Sequence, residues 1–313
     1  MIYYGGDRWW LATVILFAPR WIAAVPLAIL LPLALWRSRF SPIPLLLGAL
    51  VVFGPVMGLN LPFGKTKPGT GKMLRVITCN IDNGKCDAQA LAALIRDTGA
   101  DIVALQEFKD IALSLPPGWH IIQERGLAVL SSFPLQRGVT TLVYNPPNPW
   151  PSTNLLHCIV KMPGNDLNFC SVQLPTPRFG LLPLLDRHTL LRPSRNGQLL
   201  DETVYRRRAS KEVQKSVALL SGQTIVAGDF NMPVDSTIYR QIWNGYSNAF
   251  SKAGLGYGWT QRAKSMKLTT IGIRIDHILT SKSLGTRVCE IGPDVGSDHL
   301  PLIAHIEVNR GSR

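Results

Sequence analysis

The chain has 313 residues and a formal net charge of +13, because 33 lysine and arginine side chains outnumber 20 aspartate and glutamate side chains. This length accommodates one domain of about 250 residues with an appendage, or two smaller domains. The positive balance favours polyanions or anionic lipid head groups as partners. The cysteines are an odd number without a Cys-x-x-Cys pair, which indicates neither a disulfide framework nor a zinc site; they are Cys79, Cys86, Cys158, Cys170 and Cys289.

Residues 1–62 are far more apolar than the rest of the chain. They contain five charged side chains, whereas residues 63–313 contain the other 48 of 53. Two uncharged runs, residues 21–36 and 41–59, approach the roughly 20 residues that cross a bilayer. Trp21 and Trp36 flank the first run, as interfacial aromatic residues do. The sequence predicts a membrane anchor with two transmembrane helices over residues 1–62; the alternative is a buried soluble hairpin.

The charges around these runs give conflicting indications of orientation. Arg37 and Arg39 lie between the runs, and the positive-inside rule would keep that loop in the cytoplasm and the main domain outside. Four basic residues at positions 65, 67, 72 and 75 indicate the opposite arrangement. We expect an integral protein of the cell (inner) membrane with its main domain extracytoplasmic. Residues 9–19 are too short to cross alone, and either lie at the interface or belong to another span.

Residues 63–72 have the glycine, proline and lysine content of a linker. Their end resembles a phosphate-binding loop, but Thr66 replaces a required glycine and Met73 replaces the hydroxyl residue. The remaining residues, 73–313, form the predicted main domain. A β-run at 74–80, a helix at 87–99 capped by Asp87 and a β-run at 101–107 predict a β-α-β unit.

Further elements follow in a pattern rich in strands. The sequence predicts strands at 126–131, 139–144, 154–160, 166–173, 223–228, 274–280 and 300–308, and a helix at 201–220. Many strands with few helices predict a layered α/β protein with β-sheet at its centre. The densest basic patch, residues 178–215, includes Arg206, Arg207 and Arg208. It is either a site for anions or a solvated helix face.

Polar side chains follow or adjoin most of these strands. Each has an ordinary explanation by itself, such as an Asx turn, but their number indicates a site; they are Asn80, Glu107, Asp229, Asn231, Asp276, Asp298 and His299. Carboxylate and amide oxygens without cysteine are ligands of a hard cation, Mg²⁺ or Mn²⁺ rather than zinc. Such a cation in a basic domain suits phosphoryl chemistry. A histidine paired with a carboxylate completes the requirement.

Residues 73–308 resemble the endonuclease/exonuclease/phosphatase family, which includes DNase I, the exonuclease III type apurinic endonucleases, sphingomyelinases and inositol polyphosphate 5-phosphatases. The resemblance rests on five motifs in the family's order: TCN ending at Asn80, ALQE ending at Glu107, GDFN ending at Asn231, RIDH ending at His277 and GSDHLP ending at Pro301. It implies a four-layer α/β sandwich, with two packed mixed sheets flanked by helices and an active site at one rim.

The resemblance also implies roles for the residues. Asn80 and Glu107 would belong to the metal site, with Glu107 the main ligand, and Asp298 would serve that site from the far side. Asp229 would activate or position the attacking water, and Asn231 would orient the phosphate and the nucleophile. Asp276 would pair with His299, which would hold or protonate the phosphate.

The sequence departs from the family at Gln173, where many members have a histidine that donates to a phosphate oxygen. Glutamine retains a neutral donor but supplies no proton. Removal of one charge-assisted donor costs on the order of 10²- to 10³-fold in rate, which would weaken an enzyme without abolishing it. The apurinic endonucleases of the family use another residue near this point, so loss of activity is an alternative and not the expectation. Arg178, five residues further on, is a candidate for binding the same anion.

The sequence therefore predicts a membrane-anchored, Mg²⁺-dependent phosphoesterase. Its substrate would be a phosphate ester of nucleic acid or of a phospholipid head group, and the sequence indicates no protein partner. The alternative is a weakly active or non-catalytic phosphate-binding membrane protein, because of Gln173.

Overall fold

The computed structural model describes residues 2–37, 43–62, 71–109, 111–144, 153–185, 196–262 and 272–308. The described residues form strands β1 to β14, which are, in chain order, Lys72–Asn80, Ile102–Gln106, His120–Glu124, Leu127–Ser131, Leu135–Leu142, Thr153–Met162, Asn165–Gln173, Thr224–Asp229, Ser247–Asn248, Gln261–Arg262, Gly272–Ile273, Asp276–Thr280, Gly285–Ile291 and Leu302–Val308. Most of the predicted strands are present, whereas the predicted strand at 139–144 begins earlier, as β5.

Helices α1 to α9 are, in chain order, Ile2–Gly5, Trp10–Phe17, Val25–Trp36, Ile43–Val51, Ala88–Asp97, Arg178–Leu185, Asn196–Ala218, Thr237–Ile242 and Ala249–Ala253. The predicted cap of α5 is present, because the Asp87 carboxylate accepts hydrogen bonds from the backbone N–H groups of Gln89 and Ala90. This contact satisfies two of the N–H groups that the first turn of a helix leaves free.

Twelve of these strands form two six-stranded mixed sheets, and β10 and β11 form a separate antiparallel pair. Sheet 1 has the order β13-β14-β1-β2-β4-β3, and sheet 2 has the order β5-β6-β7-β8-β12-β9. Each sheet contains one parallel pair, β1 with β2 and β7 with β8, among antiparallel neighbours. Helix α5 packs on the outer face of sheet 1, and α7 and α8 pack on the outer face of sheet 2. This is the predicted four-layer sandwich.

Side chains alternate between the faces of each sheet, so each strand serves two cores. In β1, Val76 packs between the sheets while Ile77 packs towards α5. In β8, Ala227 packs between the sheets while Val226 packs towards α7 and α8. Strands that are buried on both faces read as continuous apolar runs, which explains why their sequence pattern lacks polar alternation.

The inward-facing positions become polar where the parallel strands end. Asn80 ends β1 opposite Gln106, and Gln173 ends β7 opposite Asp229. Asp276 begins β12 and pairs with Asp229, because β12 runs antiparallel to β8. The rim of the sandwich is therefore a polar continuation of the core between the two sheets.

The helices of the N-terminal segment, residues 2–62, are shorter than the two predicted spans at 21–36 and 41–59. A 3₁₀ turn at Arg20–Ala24 precedes α3, and a π-turn at Val52–Val56 follows α4, with a non-helical backbone at Gly54. No described helix is sufficient by itself, in length and apolar composition, to cross a bilayer. Trp10–Phe17 and Arg20–Trp36 together have sufficient length and apolar composition, but the two segments are bent by 93° relative to each other. The predicted linker lies almost wholly outside the described residues.

The beginning of the N-terminal segment packs on the sandwich. Ala12 and Leu16 of α2 are fully buried, and Phe17 packs with the apolar side chains of α6 and α7. In addition, Asn60 forms an isolated β-bridge with Gly256. By contrast, α3 and α4 contain no buried residue.

Candidate active site

The first half of the rim is built around the Glu107 carboxylate. Its Oε1 accepts hydrogen bonds from the side-chain amides of Asn80 and Gln173, both at 3.0 Å. Its Oε2 accepts one from the amide of Asn83 at 2.8 Å. Glu107 follows β2 with a φ of 53°, which turns its backbone out of the strand direction. Three amide donors therefore surround one half-buried carboxylate.

The second half of the rim is built around the Asp229 carboxylate. The Asn231 backbone N–H donates to Asp229 Oδ1 at 2.8 Å, and the Asn231 amide donates to Oδ2 at 2.9 Å. The same amide donates to the Leu174 carbonyl oxygen at 2.9 Å, which ties the loop after β8 to the loop after β7. Asn80 Nδ2 lies 3.2 Å from Asp229 Oδ2 and so connects the two halves.

The close approach of β7 and β8 explains the glycine of the GDFN motif. Gly228 has a φ of 155°, and a Cβ there would lie 1.9 Å from the Val172 carbonyl oxygen. No other residue fits this position without moving the backbone. Asn231 has a φ of 51°, a left-handed conformation that asparagine adopts more readily than most residues. The motif thus places Asp229 and Asn231 by steric requirement.

Asp276 and His299 form a buried pair beside Asp229. His299 Nδ1 lies 2.8 Å from Asp276 Oδ2, and the two side chains are 4% and 0% exposed. The backbone N–H of Asp276 donates to the Thr260 hydroxyl at 3.1 Å. Asp276 Oδ1 is buried and has no hydrogen-bond partner among the described residues. One oxygen of this carboxylate is therefore available to a further donor or cation.

The pKa values of Asp229 and His299 are both raised, but for different physical reasons. Burial raises the pKa of Asp229 to about 7, with Asp276 adding to the effect and His299 opposing it. Burial lowers the pKa of His299, but the Asp276 carboxylate outweighs this and the result is a pKa of about 10. His299 is therefore an imidazolium at neutral pH, while Asp229 exchanges a proton near neutrality. These values describe the protein without a bound cation, which would lower the pKa of Asp229.

A divalent cation fits the oxygen donors of this rim. Atoms of Asp229, Asp276 and His299 that could ligate a metal lie within 4.8 Å of one another. The Asp276–His299 hydrogen bond argues against His299 as a ligand, because its Nδ1 is already committed and its ring is protonated. Glu107 and the orphaned oxygen of Asp276 are better suited to a hard cation. We therefore consider the carboxylates of Glu107 and Asp276, and not His299, as the candidate metal ligands.

The remaining predicted residues lie at the margin of the site. Gln173 contacts Glu107, as described above. Arg178 begins α6, is exposed, and lines with Asn231 a groove of about 200 Å³. Asp298 is half-buried, and its negative charge contributes to raising the pKa of His299. The Asp298 carboxylate makes no hydrogen bond to another described residue, so its place in the metal site stays a prediction.

Several residues that support the site were not predicted from the sequence. Asn83 binds Glu107, Thr260 binds the backbone of Asp276, and the Ser297 hydroxyl donates to the Asn80 carbonyl oxygen at 2.7 Å. Ser297 belongs to the GSDH motif and could have been inferred from it. The basic triplet does not form one solvated helix face, since Arg206 is fully buried while Arg208 is exposed.

Comparison with known proteins agrees with this geometry. The model of the Endonuclease/Exonuclease/phosphatase family matches residues 77–299, which include the first and last rim residues, Asn80 and His299. The chain belongs to the endonuclease/exonuclease/phosphatase family, and its predicted resemblance to that family is confirmed. It is therefore a hydrolase of this family's type, and the family depends on divalent metal ions. No curated protein matches the sequence.

Solved structures of low sequence identity share the fold. A 3′ phosphatase, NExo, from Neisseria bound to product DNA hairpin is 18% identical with a TM-score of 0.55, over 75% of this chain and 100% of that one. An endonuclease/exonuclease/phosphatase from Beutenbergia cavernae is 16% identical with a TM-score of 0.52, over 76% and 72% of the two chains. A D. rerio TDP2 complexed with single strand DNA product is 13% identical with a TM-score of 0.51, over 76% and 100%.

Proposed function

We propose that this protein is a membrane-anchored phosphoesterase that hydrolyses a phosphodiester or phosphomonoester with the aid of Mg²⁺ or Mn²⁺. The observation that carries the proposal is the Asn80 amide, which lies 3.0 Å from Glu107 Oε1 and 3.2 Å from Asp229 Oδ2. The predicted metal ligand of one sheet and the predicted base of the other thus meet at one side chain.

Glu107 would hold the cation, with Asn80 beside it and Asp276 and Asp298 on the far side. When bound, the cation supplies positive charge to a phosphate oxygen and to the leaving oxygen. The three amides that now donate to Glu107 orient its carboxylate towards the rim, as hydrogen-bonded neighbours of metal ligands do.

Asp229 would accept the proton of the attacking water. A pKa of about 7 is near that of an effective general base at neutral pH, although a bound cation would lower it. The water oxygen forms the new bond to phosphorus while the ester bond on the opposite side breaks. Asn231 holds the Asp229 carboxylate at both oxygens and so fixes the direction in which that base faces.

His299 would donate to the phosphate. Its Nδ1 is committed to Asp276, which leaves the protonated Nε2 for a phosphate or leaving-group oxygen. The imidazolium supplies a charge-assisted hydrogen bond, which is stronger than a neutral one. Arg178, at the edge of the groove next to Asn231, would bind a further anionic group of the substrate.

The apolar N-terminal helices favour a location at a membrane. Large side chains of α3 and α4 are exposed, among them Leu35, Leu47 and Leu50 at 64%, 58% and 70%. An exposed apolar surface of this extent requires a cover, and a bilayer would provide one. We propose an integral inner-membrane protein with an extracytoplasmic catalytic domain, on the charge pattern of the sequence.

Two substrate classes are consistent with the proposed function. Structural neighbours were solved with product DNA, and the net charge of this chain suits a nucleic acid. A position at the bilayer suits a phospholipid head group. The alternative function, weak or absent catalysis, is favoured by one contact: the Gln173 amide already donates one of its two N–H groups to Glu107, which leaves a single neutral donor for a phosphate.

A substrate panel with the full-length protein in detergent tests the proposal. With Mg²⁺ or Mn²⁺, the wild type should hydrolyse bis(4-nitrophenyl) phosphate and at least one of DNA, RNA and phospholipid vesicles. His299→Ala and addition of EDTA should each abolish the activity. A wild type no faster than His299→Ala on every substrate would refute the proposed enzymatic activity and support the phosphate-binding alternative. Titration with inorganic phosphate would then measure the affinity of the site.

A further inference from the structure

Arg206 connects the loop after β7, which contains Pro175, with the loop after β8, which contains Asn231. Its Nε donates to the Pro175 carbonyl oxygen at 3.3 Å, and its Nη2 donates to the Asn231 carbonyl oxygen at 3.1 Å. The guanidinium lies 5.1 Å from the centroid of the Phe17 ring. A planar group with donors on three nitrogens can make these contacts simultaneously, whereas an ammonium group cannot span both loops in this way.

The third nitrogen of Arg206 binds Asp7, a residue of the N-terminal segment. Arg206 Nη1 lies 3.0 Å from Asp7 Oδ1, and both side chains are 0% exposed. The Ser236 hydroxyl donates to Asp7 Oδ2 at 2.5 Å. Asp7 precedes the region that matches the family, residues 77–299, by 70 positions. The carboxylate that neutralises a cation at the active-site loops thus comes from outside the matched domain.

The N-terminal segment holds Asp7 in place through its own contacts. The Asp7 backbone N–H donates to the Thr13 hydroxyl at 3.0 Å, and the Thr237 hydroxyl donates to the Gly6 carbonyl oxygen at 2.7 Å. Asp7 has a φ of 58°, a conformation that aspartate adopts in local turns. The turn between α1 and α2 therefore presents Asp7 to the sandwich.

We propose that Asp7 and Arg206 are positioning residues for catalysis, and that the N-terminal segment is for this reason part of the catalytic unit. Asp7 fixes Arg206, Arg206 fixes the Asn231 backbone, and Asn231 holds both oxygens of Asp229. A misplacement of about 1 Å at a reacting group can lower the rate about 10²-fold. This inference rests on the proposed phosphoesterase function.

Arg206→Lys in the full-length protein is the decisive variant. Lysine keeps the charge that pairs with Asp7 but loses the bridge between the Pro175 and Asn231 carbonyl oxygens. We expect kcat to fall roughly 10- to 10²-fold at saturating metal, with KM changed far less. Arg208→Lys, two positions along α7 and exposed, is the matched control and should retain the wild-type kcat.

A second pair of variants separates positioning from folding. In Asp7→Leu/Arg206→Met the buried charges are replaced together by apolar side chains, an exchange that buried pairs often tolerate in stability. We expect its melting temperature to be nearer to the wild type than that of Asp7→Leu alone. Its kcat should stay low, because no donor then reaches the Asn231 carbonyl oxygen.

Hydrogen exchange at the backbone N–H of Asn231 provides a readout independent of turnover. That N–H is bound to Asp229 Oδ1, so its exchange should be faster in Arg206→Lys than in the wild type or Arg208→Lys. Unchanged exchange together with an unchanged kcat would overturn the inference while the proposed function stands. If the wild type hydrolyses no substrate of the panel, the proposed function fails, and unchanged Asn231 exchange alone would overturn the inference.

Discussion

The two halves of the rim have the same topology but different surroundings. In sheet 1, Glu107 follows a parallel pair and is half-buried among three amide donors. In sheet 2, Asp229 ends a parallel pair and is buried next to a second carboxylate and a histidine. Position on the sheet therefore brings carboxylates together, while burial and neighbouring charge decide whether each suits a cation or a proton.

The largest effect is expected from the buried half. Asp229→Asn keeps the shape of the side chain but removes the proton acceptor, so kcat should fall roughly 10³- to 10⁴-fold. Steady-state hydrolysis of a model phosphodiester measures this. Asp166→Asn is the matched control, since Asp166 is exposed near the start of β7 and pairs with Lys161. An Asp229→Asn rate within tenfold of the wild type would contradict the assignment of the base.

Substitution of Glu107, in the half-buried half of the rim, should change the metal dependence of the activity. Glu107→Gln removes a negative charge from the proposed cation site, so the Mg²⁺ concentration for half-maximal activity should rise about 10²-fold. Titration of activity with Mg²⁺ measures the shift, which excess metal should partly reverse. Glu124→Gln, at an exposed ion pair with Arg137, should leave the titration unchanged. A fixed half-maximal concentration with a lower kcat would place Glu107 outside the metal site.

Two buried histidines in the buried half of the rim, His277 and His299, have pKa values shifted in opposite directions. His277 neighbours Asp276 but faces Phe230 and Tyr239, and its ring contacts Asn248 and the Met232 carbonyl oxygen. Burial lowers the pKa of His277 to about 3, with Arg274 adding to the effect. His299, by contrast, faces Asp276 and carries a charge.

The lowered pKa of His277 makes stability depend on pH. Below a pKa of about 6.5 the unfolded chain binds a proton that the folded protein excludes, so acid favours unfolding. Stability should therefore be lost as the pH falls from about 6.5, by about 1.4 kcal/mol per pH unit from this group. Denaturant unfolding between pH 6.5 and 4.5 should show a shallower loss in His277→Gln than in the wild type. A His277→Gln slope equal to that of the wild type and of the exposed-site control His120→Gln would contradict this.

The smallest effect is expected at Gln173, which joins the two halves of the rim. Because its amide donates to Glu107, Gln173→Ala should weaken metal binding by about tenfold, the lower end of the effect of residues that support a metal ligand. Gln173→His tests the alternative function directly. We expect a change in kcat below about tenfold, which corresponds to about 1.4 kcal/mol. A gain of 10²-fold or more would show that the native site is weakened by its glutamine.

The outline of the fold and most of the rim could be predicted from local sequence. Apolar runs ending in polar residues marked the central strands, and GDFN and SDH marked Asp229 and His299 because chemistry and sterics restrict those residues locally. Strands β3 and β13 and the short strands β9, β10 and β11 were not predicted. The pairings of the three short strands depend on neighbours distant in sequence. Thr260 could not be assigned to Asp276 for the same reason.

The family and the apolar character of residues 1–62 follow from residue types and their order along the chain. Whether similar residues of one pattern are buried or exposed depends on the tertiary structure. It buries Arg206 and exposes Arg208 within one basic triplet, and it packs Asp7 on the sandwich while no residue of α3 is buried. The reason is physical: charge and hydropathy are properties of a residue, but burial and partnership depend on what the rest of the chain packs against it.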